Sequence, residues 1–237
     1  MVPDRDGGPV LVCRDSRRSG PMVAAAVHAG LLAAGCEVVD LGICPTPSMQ
    51  LAVRALGARG GLAITAGHNP AEWNALKFVR DDGLYLNVTQ ADELLDVYHQ
   101  GEFAKAAWHA VPTRVAAHDA LPAHLAALAA RLDVAALRAR RLTEAVDCCN
   151  GACARLSPAL LEAVGCAVLA INDDVTAPFP HAPEPGPGAA AQLAAVVRAG
   201  RADVGVLHDA DGERLALVDE TGRAHSEEIT LALAASI

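Results

Sequence analysis

The stretch that most constrains the fold is a Gly-rich apolar run, Gly60-Gly61-Leu62-Ala63-Ile64, that breaks into the polar hexapeptide Thr65-Ala66-Gly67-His68-Asn69-Pro70. A short apolar run bounded by turn residues reads as a buried strand. The hexapeptide is then the loop at its C-terminal end, where open α/β sheets bind their ligands. The continuation, Ala71-Glu72-Trp73-Asn74-Ala75-Leu76-Lys77-Phe78, adds a second polar cluster that ends in a lysine.

Similar units flank this one. Pro9 to Cys13 reads as a strand that runs into Arg14-Asp15-Ser16-Arg17-Arg18-Ser19-Gly20. A helix from Pro21 to Ala34 follows, with proline in its first turn and Gly35 at its end. Glu37 to Leu41 is a strand, Ser48 to Leu56 a helix and Leu62 to Thr65 the central strand. Leu76 to Val79 and Leu84 to Leu86 flank Asp81-Asp82-Gly83, a hairpin signal, before a helix from Gln90 to His99. Gly101 to His118 reads as a connector, and Leu121 to Leu132 as an Ala/Leu helix bridging two domains.

From Thr143 the alternation resumes. Strand Ala145 to Cys148, helix Ser157 to Val164 and strand Ala167 to Ile171 precede a Pro/Gly-rich extended loop, Pro178 to Gly188. Helix Ala189 to Ala199, strands Asp203 to Leu207 and Leu215 to Val218, and helix Glu227 to Ile237 complete the series. This order predicts two similar layered α/β units rather than a solenoid of short repeats. The last helix is still apolar where the sequence stops, a pattern expected of a chain that once continued.

With 52% hydrophobic and 20% charged residues over 237 positions, the chain is expected to fold as one large or two ordinary soluble domains. A net charge of -9 argues against a nucleic-acid or anionic-membrane partner, since no basic field offsets phosphate repulsion. It admits a small phosphorylated ligand held by local cations or a bound metal. The polar start and the lack of a long apolar run predict a cytoplasmic protein with no membrane span. Seven scattered cysteines read as free structural thiols, and Cys149-Asn150-Gly151-Ala152-Cys153 lacks the second ligand pair of a structural zinc site.

A second polar constellation, His208-Asp209-Ala210-Asp211-Gly212-Glu213-Arg214, lies between two predicted strands. Its three carboxylates at alternate positions of a tight loop can turn toward one point, and hard oxygen ligands suit Mg²⁺. A solvated acidic turn is the alternative. No further ligand follows at the distance an EF-hand requires.

Together the two stretches resemble the α-D-phosphohexomutases (phosphoglucomutase, phosphomannomutase and phosphoglucosamine mutase). The first is similar to their active-site loop T-A-S-H-N-P…N-G-x-K-F, the second to their metal loop D-G-D-x-D-R. Arg14 to Gly20 is similar to the family's G-R-D-x-R-x-S-G segment, Phe179 to Pro185 to its Pro-rich loop, and Val218 to Gly222 to its V-D-E-x-G turn. The resemblance implies two successive three-layer α/β/α domains with mixed sheets, the first two of the family's four. They would occupy residues 1–118, with the active-site loop at 65–77, and 143–237, with the metal loop at 208–214, joined by a helical linker at 119–142.

It implies catalytic positions at Gly67, His68 and Lys77, and phosphate binding by Arg14, Thr65, Asn69 and Arg214. Mg²⁺ would sit on Asp209, Asp211 and Glu213. The implied ligand is a hexose phosphate or bisphosphate, and the ancestral activity is an intramolecular phosphotransfer between hexose 1-phosphate and 6-phosphate. A partner chain or dimer would supply the missing domains.

Two departures stand out. Glu213 replaces the third aspartate, and Gly67 replaces the serine that carries the phosphoryl group. A glycine has no oxygen, so the usual relay is impossible at that position. Thr65 is an acceptor only if the strand geometry changes; otherwise the glycine leaves room for a free phosphate against backbone N–H groups. His68 has the alternative of simply bonding the loop, and Lys77 of being an exposed strand lysine. The readings are therefore a mutase-like enzyme by descent, a non-catalytic sugar-phosphate-binding or regulatory relative, or a fragment of a four-domain mutase. A generic nucleotide-binding domain is a poor fit, because no G-x-G-x-x-G follows the first strand and no P-loop is present.

Overall fold

In the computed structural model, which describes residues 8–236, the apolar runs become the strands of two separate sheets. In the first half β1 (Val10–Arg14), α1 (Gly20–Ala33), β2 (Val38–Ile43), α2 (Thr46–Ala55), β3 (Gly60–Ile64), β4 (Leu76–Arg80), α3 (Val88–Gln100) and the short β5 (Ala116–Ala117) follow in order. The sheet order is β4-β3-β1-β2-β5. Only β4 is antiparallel to its neighbour, so the sheet is mixed.

Helices α4 (Leu121–Ala129) and α5 (Val134–Arg140) lead into β6 (Thr143–Asp147), α6 (Leu156–Ala163), β7 (Ala167–Ile171), α7 (Ala191–Gly200), β8 (Val204–His208), β9 (Leu215–Asp219) and α8 (Glu227–Ala235). The second sheet has the order β7-β6-β8-β9, again with one antiparallel strand, β9, at the edge. The expected pair of α/β units with mixed sheets is what forms.

Burial explains why these segments are strands. In the central β1, Leu11, Val12 and Cys13 are all buried, as a parallel strand covered by helices on both faces requires. Leu11 and Cys13 pack with Met49 and Val53 of α2 on one face. Val12 and Ile64 pack with Val23, Val27 and Leu31 of α1 on the other. A second core gathers Ala145, Leu193, Val197, Leu207 and Val218 around α7. Each large side chain buried this way contributes roughly 1.5–3 kcal/mol. The glycines that open β3 have a steric role: a Cβ on Gly60 would lie 2.7 Å from the Val79 carbonyl oxygen of β4.

Leu121 of α4 and Leu156 of α6 join the first core, so the two halves share packing and do not merely hang on a linker. The helix expected over 121–132 ends at Ala129, and a further helix, α5, follows that the apolar pattern did not reveal. Asp133 starts it by accepting the Ala136 N–H at 2.9 Å. Leu84 to Leu86 is not a strand; only Tyr85 bridges back, to Val79. Residue 237, the expected end of the last helix, lies outside the described residues. All seven cysteines are free thiols, and only Cys36 is partly exposed. Among the described residues no helix is long and apolar enough to cross a membrane.

Candidate functional site

The ends of β3 and β8 deliver the two polar loops to one place. Thr65, the first residue past β3, is buried, with its Oγ1 2.7 Å from Asp15 Oδ2 and 3.2 Å from Asp211 Oδ2. The same oxygen accepts the Gly67 N–H at 2.9 Å. Its single proton and one of its lone pairs are thus already committed. Thr65 ties the loops together and is not a free phosphoryl acceptor.

Arg17 shapes the loop after Thr65. Its buried guanidinium pairs with Asp15 at 2.9 Å and donates to four backbone carbonyls: Gly67 at 2.6 Å, Asn69 at 2.9 Å, Pro70 at 2.5 Å and Trp73 at 3.0 Å. It also lies 5.2 Å from the centroid of the Phe179 ring. Five donors in a fixed fork suit one arginine to gathering a turn that has no ladder partner. Burial raises the Asp15 pKa, against the bonds from Thr65 and Arg17 that lower it. Arg14, singled out from the sequence, donates to the Asp15 carbonyl at 3.1 Å and does not line the cavity beside the loop.

That cavity has a volume of about 520 Å³ and is lined by Thr65, Ala66, Gly67, His68, Asn69, Trp73, Asn74, Ala75, Lys77, Asp209, Glu213 and Arg214. It brings together eight of the ten residues expected to form the site. Arg14 is outside it, and Asp211 lies behind, buried against Thr46 and Thr65. Gly67 has φ of 56°, and a Cβ built on it would point at Lys77 Nζ, 3.6 Å away, and at Asp211 Oδ1, 3.7 Å away. Any side chain here would enter the charge cluster.

Lys77 Nζ sits 2.6 Å from Asp211 Oδ2 and 2.7 Å from Glu213 Oε2. Burial alone would lower the Lys77 pKa, but the two carboxylates outweigh it and raise the value. The other Glu213 oxygen accepts from the Tyr85 hydroxyl. Asp209 accepts the N–H groups of Glu213 and Arg214 at 3.0 and 3.1 Å. Burial and the adjacent Asp211 push the Asp209 pKa up to about 8. Arg214 reaches Glu184 at 2.5 Å and Glu227 at 3.3 Å, and His68 lies 3.5 Å from the other Glu184 oxygen. Asn69 donates its side-chain amide to the Ala66 carbonyl at 2.8 Å.

The fit to a divalent cation is unequal among the three loop carboxylates. Asp211 Oδ1 is buried with no hydrogen-bond partner. Asp209 is packed beside it, and Asp211 Oδ2 already pairs with Lys77 Nζ at 2.6 Å, which leaves Oδ1 as the Asp211 oxygen open to a cation. Both oxygens of Glu213 are engaged elsewhere, and among the described residues no three His, Cys, Asp or Glu side chains are placed to share an ion. Asp211 Oδ1 and the adjacent Asp209 suit a hard cation, whereas Glu213 shares Lys77 Nζ with Asp211 and has both oxygens engaged.

Sequence reading missed Arg17, Tyr85 and Glu184 as site residues. Arg17 was legible only as part of a basic segment. Tyr85 and Glu184 meet partners 128 and 30 residues away, so no local pattern marks them.

Comparison with known proteins identifies the family. Residues 1–105 match the profile of the phosphoglucomutase/phosphomannomutase α/β/α domain I, and residues 122–222 that of domain II. A phosphoglucomutase/phosphomannomutase from Thermococcus kodakarensis is 36% identical over 227 residues, covering 95% of this chain and 50% of the relative. A phosphoglucosamine/phosphogalactosamine mutase from Sulfurisphaera tokodaii is 33% identical, over 90% of this chain and 48% of its own. The crystal structure of a phosphoglucomutase/phosphomannomutase family protein from Burkholderia thailandensis superposes with a TM-score of 0.76 at 28% identity, over 92% of this chain and 48% of that one. The chain thus spans about half the length of the relatives it matches. With both domain profiles matched and the two polar loops meeting at one cavity, the chain belongs to the phosphoglucomutase/phosphomannomutase family.

Proposed function

We propose that this chain forms the phosphate-handling half of a hexose-phosphate site of the mutase type, one that holds the phosphoryl group as a non-covalent guest. The observation that carries this reading is Gly67, whose missing side chain points into the cavity at Lys77 and Asp211. A side-chain oxygen there would stand beside the Lys77 ammonium and the Asp211 carboxylate; without one, that space is left for a phosphate oxygen.

Phosphoryl transfer demands positioning and charge neutralisation more than covalent chemistry. Lys77 is the ammonium closest to the vacant side-chain position and would donate to the phosphate. The loop backbone, held by Arg17, would orient it. Arg214 and His68, joined through Glu184, flank the same cavity as further donors. Asn69 braces the turn between them. Mg²⁺ on Asp209 and Asp211 would supply charge neutralisation to a bound phosphate.

The ligand class is a hexose phosphate or hexose bisphosphate. By descent the site served intramolecular phosphotransfer between the 1- and 6-positions. A second reading, that these are the first two domains of a longer mutase, is favoured by the half-length match to the relatives. The sugar would then be read by the other half.

A coupled assay for glucose 1-phosphate to 6-phosphate conversion, with Mg²⁺ and glucose 1,6-bisphosphate, tests the proposal together with intact-mass analysis. The unaltered chain should show no turnover and no covalent phosphoryl. Gly67→Ser should acquire one phosphoryl group from the bisphosphate. Turnover or phosphorylation of the unaltered chain would overturn the reading.

A further inference from the structure

Glu213 is one methylene longer than aspartate, and both of its oxygens reach the other half of the molecule. Oε2 lies 2.7 Å from Lys77 Nζ, and Oε1 accepts from the Tyr85 hydroxyl. Lys77 stands in β4, paired with Ala63 of β3, and Tyr85 bridges to Val79 of the same strand. Both grips on Glu213 therefore come from one hairpin at the edge of the first sheet, while Glu213 itself sits in the loop between β8 and β9 of the second.

The same loop leaves Asp211 Oδ1 buried and unpartnered, with Asp209 beside it. Asp211 and Glu213 both reach the first half and share Lys77 Nζ, at 2.6 and 2.7 Å, but Asp211 keeps one oxygen unpartnered while Glu213 has both engaged. An aspartate at this position would have roughly 1.5 Å less reach, one carbon–carbon bond. The longer side chain and the tyrosine hydroxyl that meets it belong to one arrangement.

We infer that Tyr85 and Lys77 hold Glu213 as a clamp between the two halves, and that Glu213 is not a ligand of the cation that Asp209 and Asp211 take. Tyr85 is a positioning residue in this scheme: it keeps one oxygen of the third carboxylate engaged and off the cation. The metal part of the inference rests on the reading of Asp209 and Asp211 given above; the clamp does not.

Two measurements on the full chain test it. The first is a double-mutant cycle of Tyr85→Phe and Glu213→Gln, read by urea unfolding without metal. The clamp predicts that Tyr85→Phe has little further effect once Glu213→Gln is made, while Glu213→Gln keeps the cost of its lost Lys77 pair in either background. Additive effects would overturn it.

The second is Mn²⁺ binding followed by electron paramagnetic resonance. Asp211→Asn should weaken binding by at least about tenfold. Glu213→Gln should leave it within about twofold. Tyr85→Phe, which frees one oxygen of Glu213 to turn toward the ion, should tighten binding by about threefold or more, and the gain should vanish in the double variant. A merely structural role for Tyr85 would not produce a gain that depends on Glu213. Weakening by Glu213→Gln equal to that of Asp211→Asn would make Glu213 a ligand and overturn the inference. Failure of the unaltered chain to bind Mn²⁺ would instead overturn the cation reading of Asp209 and Asp211, with the clamp then decided by the cycle.

Discussion

The two sheets are built alike and finished differently. β4-β3-β1-β2 and β9-β8-β6-β7 have the same order, the same parallel centre and the same antiparallel edge hairpin. Even the bridge that follows each hairpin recurs, Val79 to Tyr85 in one and Val218 to Ala224 in the other. What differs is the connection at the top of the hairpin. In the first half, residues 65–75 make a long loop with few ladder bonds, gathered by a buried arginine. In the second, residues 209–214 make a tight acidic turn closed by Asp209 on its own backbone. The first hairpin contributes Lys77, and the second contributes the carboxylates that surround it. One scaffold used twice thus yields opposite charges at a shared cavity, and the function lies in the loops.

The largest expected effect breaks the first loop. Arg17→Ala would leave Asp15 buried and unpaired and four carbonyls without their donor. It should cost about 3–5 kcal/mol in urea unfolding. Arg214→Ala, at a partly exposed pair in the second half, should cost roughly 0–1 kcal/mol. Equal costs would mean that Arg17 does not organise its loop.

The two loop glycines sharpen the contrast. Gly212 has φ of 76°, and a Cβ there would lie 2.5 Å from Cys153 Sγ and 3.2 Å from Pro45 Cβ. Gly67 has φ of 56° but no atom closer than 3.6 Å to its Cβ position. Gly212→Ala should therefore cost about 2–4 kcal/mol, strain plus overpacking, and Gly67→Ala only about 1–2 kcal/mol of backbone strain. The glycine of the acidic turn is required by packing; the glycine of the phosphate loop is not.

The smallest effect concerns pH. His181 places one ring nitrogen 3.2 Å from Asp147 Oδ2 and the other 2.9 Å from the Ala182 carbonyl, and both of those atoms only accept. Burial lowers the His181 pKa, but the bonds to Asp147 and Ala182 outweigh it and raise the value above the ordinary 6.5. The protonated ring anchors the Pro-rich loop that carries Glu184. Its contribution is complete below about pH 6.5 and is lost as pH rises through the raised value. Urea unfolding of His181→Gln across this range should lose that part of the pH slope. An unchanged slope would place the titration elsewhere.

Much of this was legible because apolar runs and glycine stops are local signals. The strands, most helices and both polar loops follow from them. Family motifs then pointed to Gly67, Lys77, Asp209 and Asp211, all of which stand at or directly behind the cavity. What was not legible depends on distance through the chain. Arg17 and Arg14 are indistinguishable as two basic residues of one segment, and only the fold buries one of them under the loop. Glu213 reads as a third metal carboxylate, and no local signal shows that Tyr85, far away in sequence, meets one of its oxygens. Helix α5 is only seven residues long, too short for a periodic pattern, and its signal was the capping aspartate Asp133.

The central claim, that the cavity at Gly67 holds a phosphate between Lys77 and the loop backbone, is tested most directly by calorimetric titration of glucose 1,6-bisphosphate into the chain with Mg²⁺, beside Lys77→Ala. The account predicts saturable binding that weakens by about tenfold or more without the ammonium. No binding, or equal binding by the variant, would contradict it.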